Sequence, residues 1–164
     1  MSFSIQAGRP AVRACESAAD MADAVGELYS SAAEDAVLIW NLVPVRLSYG
    51  DDLAALLDDL VPLLENVQRE DFSGTDVFWG SDTFSAEWVI SREGDWLRLR
   101  ARWHSTLGNY ESLLTERGDS VVRTPAFVSE WAKVLRRMVT DIEAGPVELE
   151  DDDIFVRAKV LLTD

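Results

Sequence analysis

The chain has 164 residues, 48% of them hydrophobic and 27% charged, which suits residues 1–164 folding as a single globular domain. A domain of this size buries roughly 70% of the surface its unfolded chain exposes, so it needs no metal or disulfide staple, and its ordinary apolar content argues against global disorder. The net charge of −15 repels phosphate backbones and anionic membrane surfaces, which disfavours nucleic acid and membrane as partners and favours a basic protein.

Taken in chain order, "SFSIQA" alternates Phe3, Ile5 and Ala7 as a half-buried N-terminal strand does. Residues 16–30 read as a helix, with Ser17 and Asp20 at capping-box spacing and Ala18, Met21, Ala22, Val25 and Tyr29 on one face. "AVLIWNLVPVRLSY", residues 36–49, reads as a hairpin. A turn at Leu42-Val43 sets Trp40 against Val45 and Leu38 against Leu47, and Pro44 argues for an edge strand. Residues 51–68 carry Leu53, Leu56, Leu57, Leu60, Leu64 and Val67 at the helical period, with Asp51 and Asp52 at the N-terminus where the dipole favours anions. Pro62 is expected to kink this helix or start a second one.

"TDVFWGS" reads as a short strand, "NYESLLTERG" as a short helix ending at Gly118, and residues 125–144 as a helix opened by Pro125 and stopped by Gly145-Pro146. The last segment alternates Ile154, Val156, Ala158, Val160 and Leu162, the period of a C-terminal strand. Helices interspersed with hairpins predict an α+β fold, an antiparallel sheet covered on one face by amphipathic helices.

Residues 83–104 form the most informative stretch. With Glu93-Gly94 as a two-residue turn, Ile90 meets Leu97, Trp88 meets Leu99, Ala86 meets Ala101 and Phe84 meets Trp103, all on one apolar face. The other face then carries Trp96, Arg98, Arg100, Arg102 and His104, with Glu87 opposite Arg100. This row is a candidate partner surface, because Trp and Arg are the types enriched at interface hot spots. The favoured reading of the row is a solvated sheet face held by cross-strand ion pairs.

Signatures of chemistry are missing. Cys15 is the only cysteine and His104 the only histidine, and there is no G-x-S-x-G elbow, P-loop, G-x-G-x-x-G or zinc spacing. No catalytic residue, metal ligand or cofactor is therefore assigned. No apolar run approaches the ~18 residues of a membrane span, and the N-terminus lacks the order of a signal peptide, so a cytoplasmic location is expected.

The charge is segregated instead. From Asp51 to Asp82 there are nine acids and one base, Arg69, and a second acidic block runs through Glu148, Glu150, Asp151, Asp152 and Asp153. Asp51, Asp52, Asp58, Asp59 and this second block are the candidate contacts for a basic partner. On "DDLAALLDDLVPLLE", "ELEDDD" and the tryptophan-rich hairpin, the whole chain resembles in character the small acidic immunity proteins of bacterial polymorphic-toxin and contact-dependent inhibition systems. That resemblance implies a non-enzymatic protein that binds its cognate toxin, often a nuclease, and blocks its active site; it carries over no residue-level role. Two further readings stay open. One is a ligand-binding or enzymatic domain with an aromatic pocket between sheet and helices, drawing on Trp40, Trp79, Trp88, Trp103 and Trp131. The other is a homo-oligomeric scaffold in which the arginine face of one copy meets the acidic face of the next.

Overall fold

The computed structural model describes residues 2–163. In chain order the elements are β1 (Phe3–Gln6), β2 (Ser17–Ala18), α1 (Met21–Leu28), β3 (Ala36–Trp40), β4 (Val43–Leu47), α2 (Ala54–Val67), β5 (Gly74–Gly80), β6 (Ser85–Glu93), β7 (Trp96–Ser105), α3 (Glu111–Arg117), β8 (Ser120–Arg123), α4 (Thr124–Ala144), β9 (Glu148–Leu149) and α5 (Asp153–Leu161). They form an α+β fold. A three-stranded sheet runs β1-β3-β4, a four-stranded sheet runs β5-β6-β7-β8, and β2 pairs with β9 in a small ladder of its own. The two larger sheets are antiparallel throughout and the small ladder is parallel.

The apolar faces foreseen for both hairpins are the buried ones, but both registers sit two residues from the expected ones. Trp40 pairs with Val43 and Leu38 with Val45. The turn is therefore Asn41-Leu42, with φ of 47° and 72°, the pair of positive values that a type I′ turn requires. Leucine rarely adopts that conformation, which is why the sequence hides the turn. Asn41 is held there because its Nδ2 donates to the carbonyls of Gly118 at 3.1 Å and Asp119 at 2.9 Å. In the second hairpin Glu93 pairs with Trp96, Trp88 with Ala101 and Ala86 with Trp103. Gly94 takes φ 64° as the first of the two turn residues, the glycine position of a type II′ turn. A two-residue shift keeps every side chain on its face, whereas a one-residue shift would invert the sheet.

The core is built on tryptophan. Trp40 of the small sheet meets Trp88 at 5.1 Å and stands edge-on to Trp103 at 4.9 Å between ring centroids. Trp131 of α4 lies 6.0 Å from Trp79 and 6.4 Å from Trp88, and Phe3 of β1 touches Phe127 and Trp131. Such pairs add about 0.5–1.5 kcal/mol each beyond the area they bury. The five tryptophans that an aromatic pocket would use are thus packed on one another, although the indole N–H groups of Trp79, Trp88 and Trp131 find no acceptor.

Three expectations for helices and strands are corrected. Helix α1 starts at Met21 rather than near residue 16, because Asp20 is the N-cap: its side chain accepts from the Asp23 N–H at 2.8 Å, while Asp23 accepts from the N–H of the preceding Ala19 at 2.9 Å. The C-terminal segment is the helix α5, not a strand. Ala158 is fully buried while Val156 and Val160 are 47% and 61% exposed, and Ile154, Ala158 and Leu161 recur at helical spacing against α2 and α4. Helix α2 continues through Pro62 rather than restarting there.

Candidate partner-binding surfaces

Asp52, placed by sequence among the exposed acids, belongs to the interior. It is fully buried because the chain enters α2 through one wide helical turn, Tyr49–Leu53, capped by Ser48. The Ser48 hydroxyl accepts from the Asp52 N–H at 3.0 Å, and the Asp52 carboxylate accepts from the Ser48 N–H at 2.8 Å. This is a capping box stretched by one residue. The other carboxylate oxygen accepts from the hydroxyls of Ser81 at 2.5 Å and Thr83 at 2.6 Å, in the turn between β5 and β6. Asp52 ties the start of α2 to that turn and presents nothing to a partner. Ser81 and Thr83 carried no sequence signal, since only the fold brings them to residue 52.

The other acids of the two blocks stay at the surface, and the fold brings the blocks together. Ser17 pairs with Glu148 and Ala18 with Leu149. The ladder extends as the N–H groups of Glu150 and Asp151 donate to the carbonyls of Ala18 at 3.1 Å and Ala19 at 2.8 Å. This sets the Glu148–Asp153 block beside the entry to α1 and within electrostatic reach of α2. The Asp58 carboxyl is held above its ordinary range, first by partial burial and then by the negative charges of Asp20, Asp59 and Asp151. Two open grooves flank α2. A groove of about 450 Å³ is lined by Asp23, Asp51 and Asp82 together with Gly26, Gly50 and Gly80. A groove of about 240 Å³ between α2 and β5 is lined by Asp58, Asp59 and Asp76. Neither lining includes a lysine or arginine. Within the second block, Asp153 is engaged by Arg157 at 3.0 Å, and Glu148, Glu150, Asp151 and Asp152 are exposed. The sequence reading passed over Asp20 and Asp23 as contacts. They join this surface because α1 packs on α2 and on the turn that opens it.

The arginine row lies on the outer face of the four-stranded sheet, as its alternation requires. Trp96 is 42% exposed and carries the Arg123 guanidinium 5.1 Å above its ring. Arg98 is gripped by both Glu93 carboxylate oxygens, at 2.8 and 3.3 Å, and lies 3.7 Å from Asp119. Glu87 takes His104 at 2.8 Å and Arg102 at 3.7 Å, not Arg100 as the expected register implied. Arg100 sits opposite Val89 and is the one member of the row without an ion pair among the described residues.

Among the described residues, no group of three or more His, Cys, Asp or Glu side chains is arranged to hold a metal ion, and no helix is long and apolar enough to cross a membrane. No protein-family model, curated protein or solved structure matches the chain.

Proposed function

We propose that the chain is a non-enzymatic binding protein that neutralises a basic protein partner through its acidic end, in the manner of an immunity protein against a toxin domain. The observation that carries this reading is the convergence of Asp20, Asp58, Asp59 and Asp151 at a surface whose grooves beside α2 are lined by aspartates and by no lysine or arginine; partial burial first, and then the charges of the other three, hold the Asp58 carboxyl above its ordinary range. None of the four has an ion-pair partner among the described residues. Crowded, uncompensated charge costs folding stability, and a cationic partner converts that cost into binding free energy and a fast, steered encounter. The grooves on either side of α2 extend the same negative field over a concave surface. The resemblance to immunity proteins supports the further step from basic partner to toxin, and a cytoplasmic site of action belongs to the same proposal.

The test uses the wild type and an Asp20→Asn, Asp58→Asn, Asp59→Asn, Asp151→Asn variant as baits in lysate of the native organism, at low and high salt. A basic protein retained by the wild type, released by salt and lost from the variant is expected. Expression of that protein should arrest growth, and co-expression of the wild-type chain should restore it. Equal retention by both baits, or a retained protein whose expression is harmless, contradicts the proposal.

A further inference from the structure

The edges of the two larger sheets are not treated alike. A free strand edge offers unpaired N–H and C=O groups to any passing chain, and folded proteins usually blunt it. Three of the four edges here are blunted. On β1, the Ile5 N–H donates to Glu130 Oε2 at 3.1 Å and the Ile5 carbonyl accepts from Lys133 Nζ at 3.1 Å. On β4, the exposed Pro44 has no N–H to offer. On β8, the Ser2 hydroxyl donates to the Val121 carbonyl at 2.6 Å and accepts from the Val121 N–H at 3.3 Å.

The fourth edge, β5, is open. Two bonds bracket its ladder to β6: the Arg92 N–H donates to the Ser73 carbonyl at 2.8 Å, and the Ser81 N–H donates to the Phe84 carbonyl at 2.9 Å. The register between them is unbroken from Gly74↔Ser91 to Gly80↔Ser85. Bonded and non-bonded pairs alternate in an antiparallel ladder, so Thr75, Val77 and Trp79 bond to β6. Gly74, Asp76, Phe78 and Gly80 then point their backbone groups outward. All four are exposed. Gly74 and Gly80 have no side chain, so what water reaches there is backbone. The one hydrogen bond to these groups among the described residues is a long one within the strand, from the Thr75 hydroxyl to the Asp76 carbonyl at 3.4 Å.

We propose that the free edge of β5 is a strand-addition site for an extended, lysine- or arginine-bearing segment of a protein partner. The inference rests on the reading of the acidic end as the partner-binding surface and names how the partner engages it. The open edge borders the groove lined by Asp58, Asp59 and Asp76. An added strand lies about 4.8 Å from β5 and sends alternate side chains to the two faces of the sheet. Those on the inner face extend toward Asp58 and Asp59, and those on the outer face run beside Asp76 and Phe78. Main-chain bonds then supply affinity and the carboxylates select cationic side chains. A second copy of the chain is the wrong occupant, because it brings a net charge of −15 to meet −15.

The test titrates the full-length, 15N-labelled chain with capped seven-residue peptides. The parent alternates lysine and valine. Two forms are N-methylated at alternate residues, each closing one edge of the peptide while keeping its charge, and a last form has glutamate for lysine. The lysine peptide is expected to shift the amides of Gly74, Asp76, Phe78 and Gly80 and slow their exchange. At least one N-methylated form should bind about tenfold or more weakly, the loss of one or two main-chain bonds. The proposal is overturned if both N-methylated forms bind like the parent, if shifts are confined to α2 and β9, if no peptide binds, or if light scattering shows the chain pairing with itself through β5. Binding of the glutamate form as tightly as the lysine form leaves the edge in place and removes the charge-based reading of the acidic end.

Discussion

The arginine row and the acidic end are both dense in charge, yet they are built on opposite terms. On the outer sheet face β6 supplies most of the counter-charge for β7: Glu87 holds His104 and Arg102, and Glu93 holds Arg98, with Arg100 left unpaired among the described residues. Around α2 the fold gathers Asp20, Asp58, Asp59 and Asp151 from separate parts of the chain and gives none of them a cation among the described residues. Compensated charge is explained by the fold that contains it. Uncompensated charge is a standing cost, which the proposed basic partner would offset. Composition reports how much charge is present and not whether it is satisfied, and most of the arginine row is paired within the fold.

The contrast breaks first at Asp52, the acid that does not belong with its neighbours in sequence. Asp52→Ala leaves the Ser48 N–H and the Ser81 and Thr83 hydroxyls without their acceptor. It is expected to cost about 2–4 kcal/mol in urea unfolding, while Asp51→Asn, on the exposed side, stays within about 0.5 kcal/mol of wild type. On the compensated face, Glu87→Gln removes the shared partner of Arg102 and His104. The expected loss is about 0.2–1 kcal/mol, fading as salt is added.

The smallest effects carry the clearest difference in sign. The hydrogen bond from Arg98 lowers the Glu93 pKa. Its contribution is present above the ordinary carboxylate range and lost as pH falls through the lowered folded-state value, so Glu93→Gln destabilises at neutral pH and is silent in acid. Asp58 is shifted the other way. Its ionisation costs stability, so Asp58→Asn stabilises at neutral pH, by no more than about 0.5 kcal/mol for so exposed a group. That gain closes as pH falls until the side chain is protonated in folded and unfolded chains alike. Urea titrations of both variants across the acid range check the pair. A gain from Glu93→Gln or a loss from Asp58→Asn at neutral pH would erase the distinction.

What local patterning could report, it reported. The period of two in residues 83–104 identified the buried face, and Trp88 and Trp103 lie on it. The register escaped because Leu42 occupies a positive-φ position that gives leucine no signal, and because Gly94 serves as the first turn residue rather than the second. The C-terminal segment satisfies both a strand and a helical period. Packing of Ala158 on α2 and α4 decides for the helix, and that packing is not local. The same holds for function. Asp58 and Asp59 were visible as acids, but their meeting with Asp20 depends on α1 packing on α2 and their meeting with Asp151 on β2 finding β9. The open edge of β5 is defined by what happens at three other edges.

The central claim is that binding free energy resides in the uncompensated acidic end and not in the arginine row. Titration calorimetry of the retained basic partner against three forms of the chain tests it directly: the wild type, the Asp20→Asn, Asp58→Asn, Asp59→Asn, Asp151→Asn variant, and an Arg98→Ala, Arg100→Ala, Arg102→Ala variant. The expected result is a loss of about tenfold or more in affinity for the aspartate variant, with a flatter salt dependence, and an affinity near wild type for the arginine variant. Loss of binding on removing the arginines, with the aspartate variant unaffected, would contradict the account.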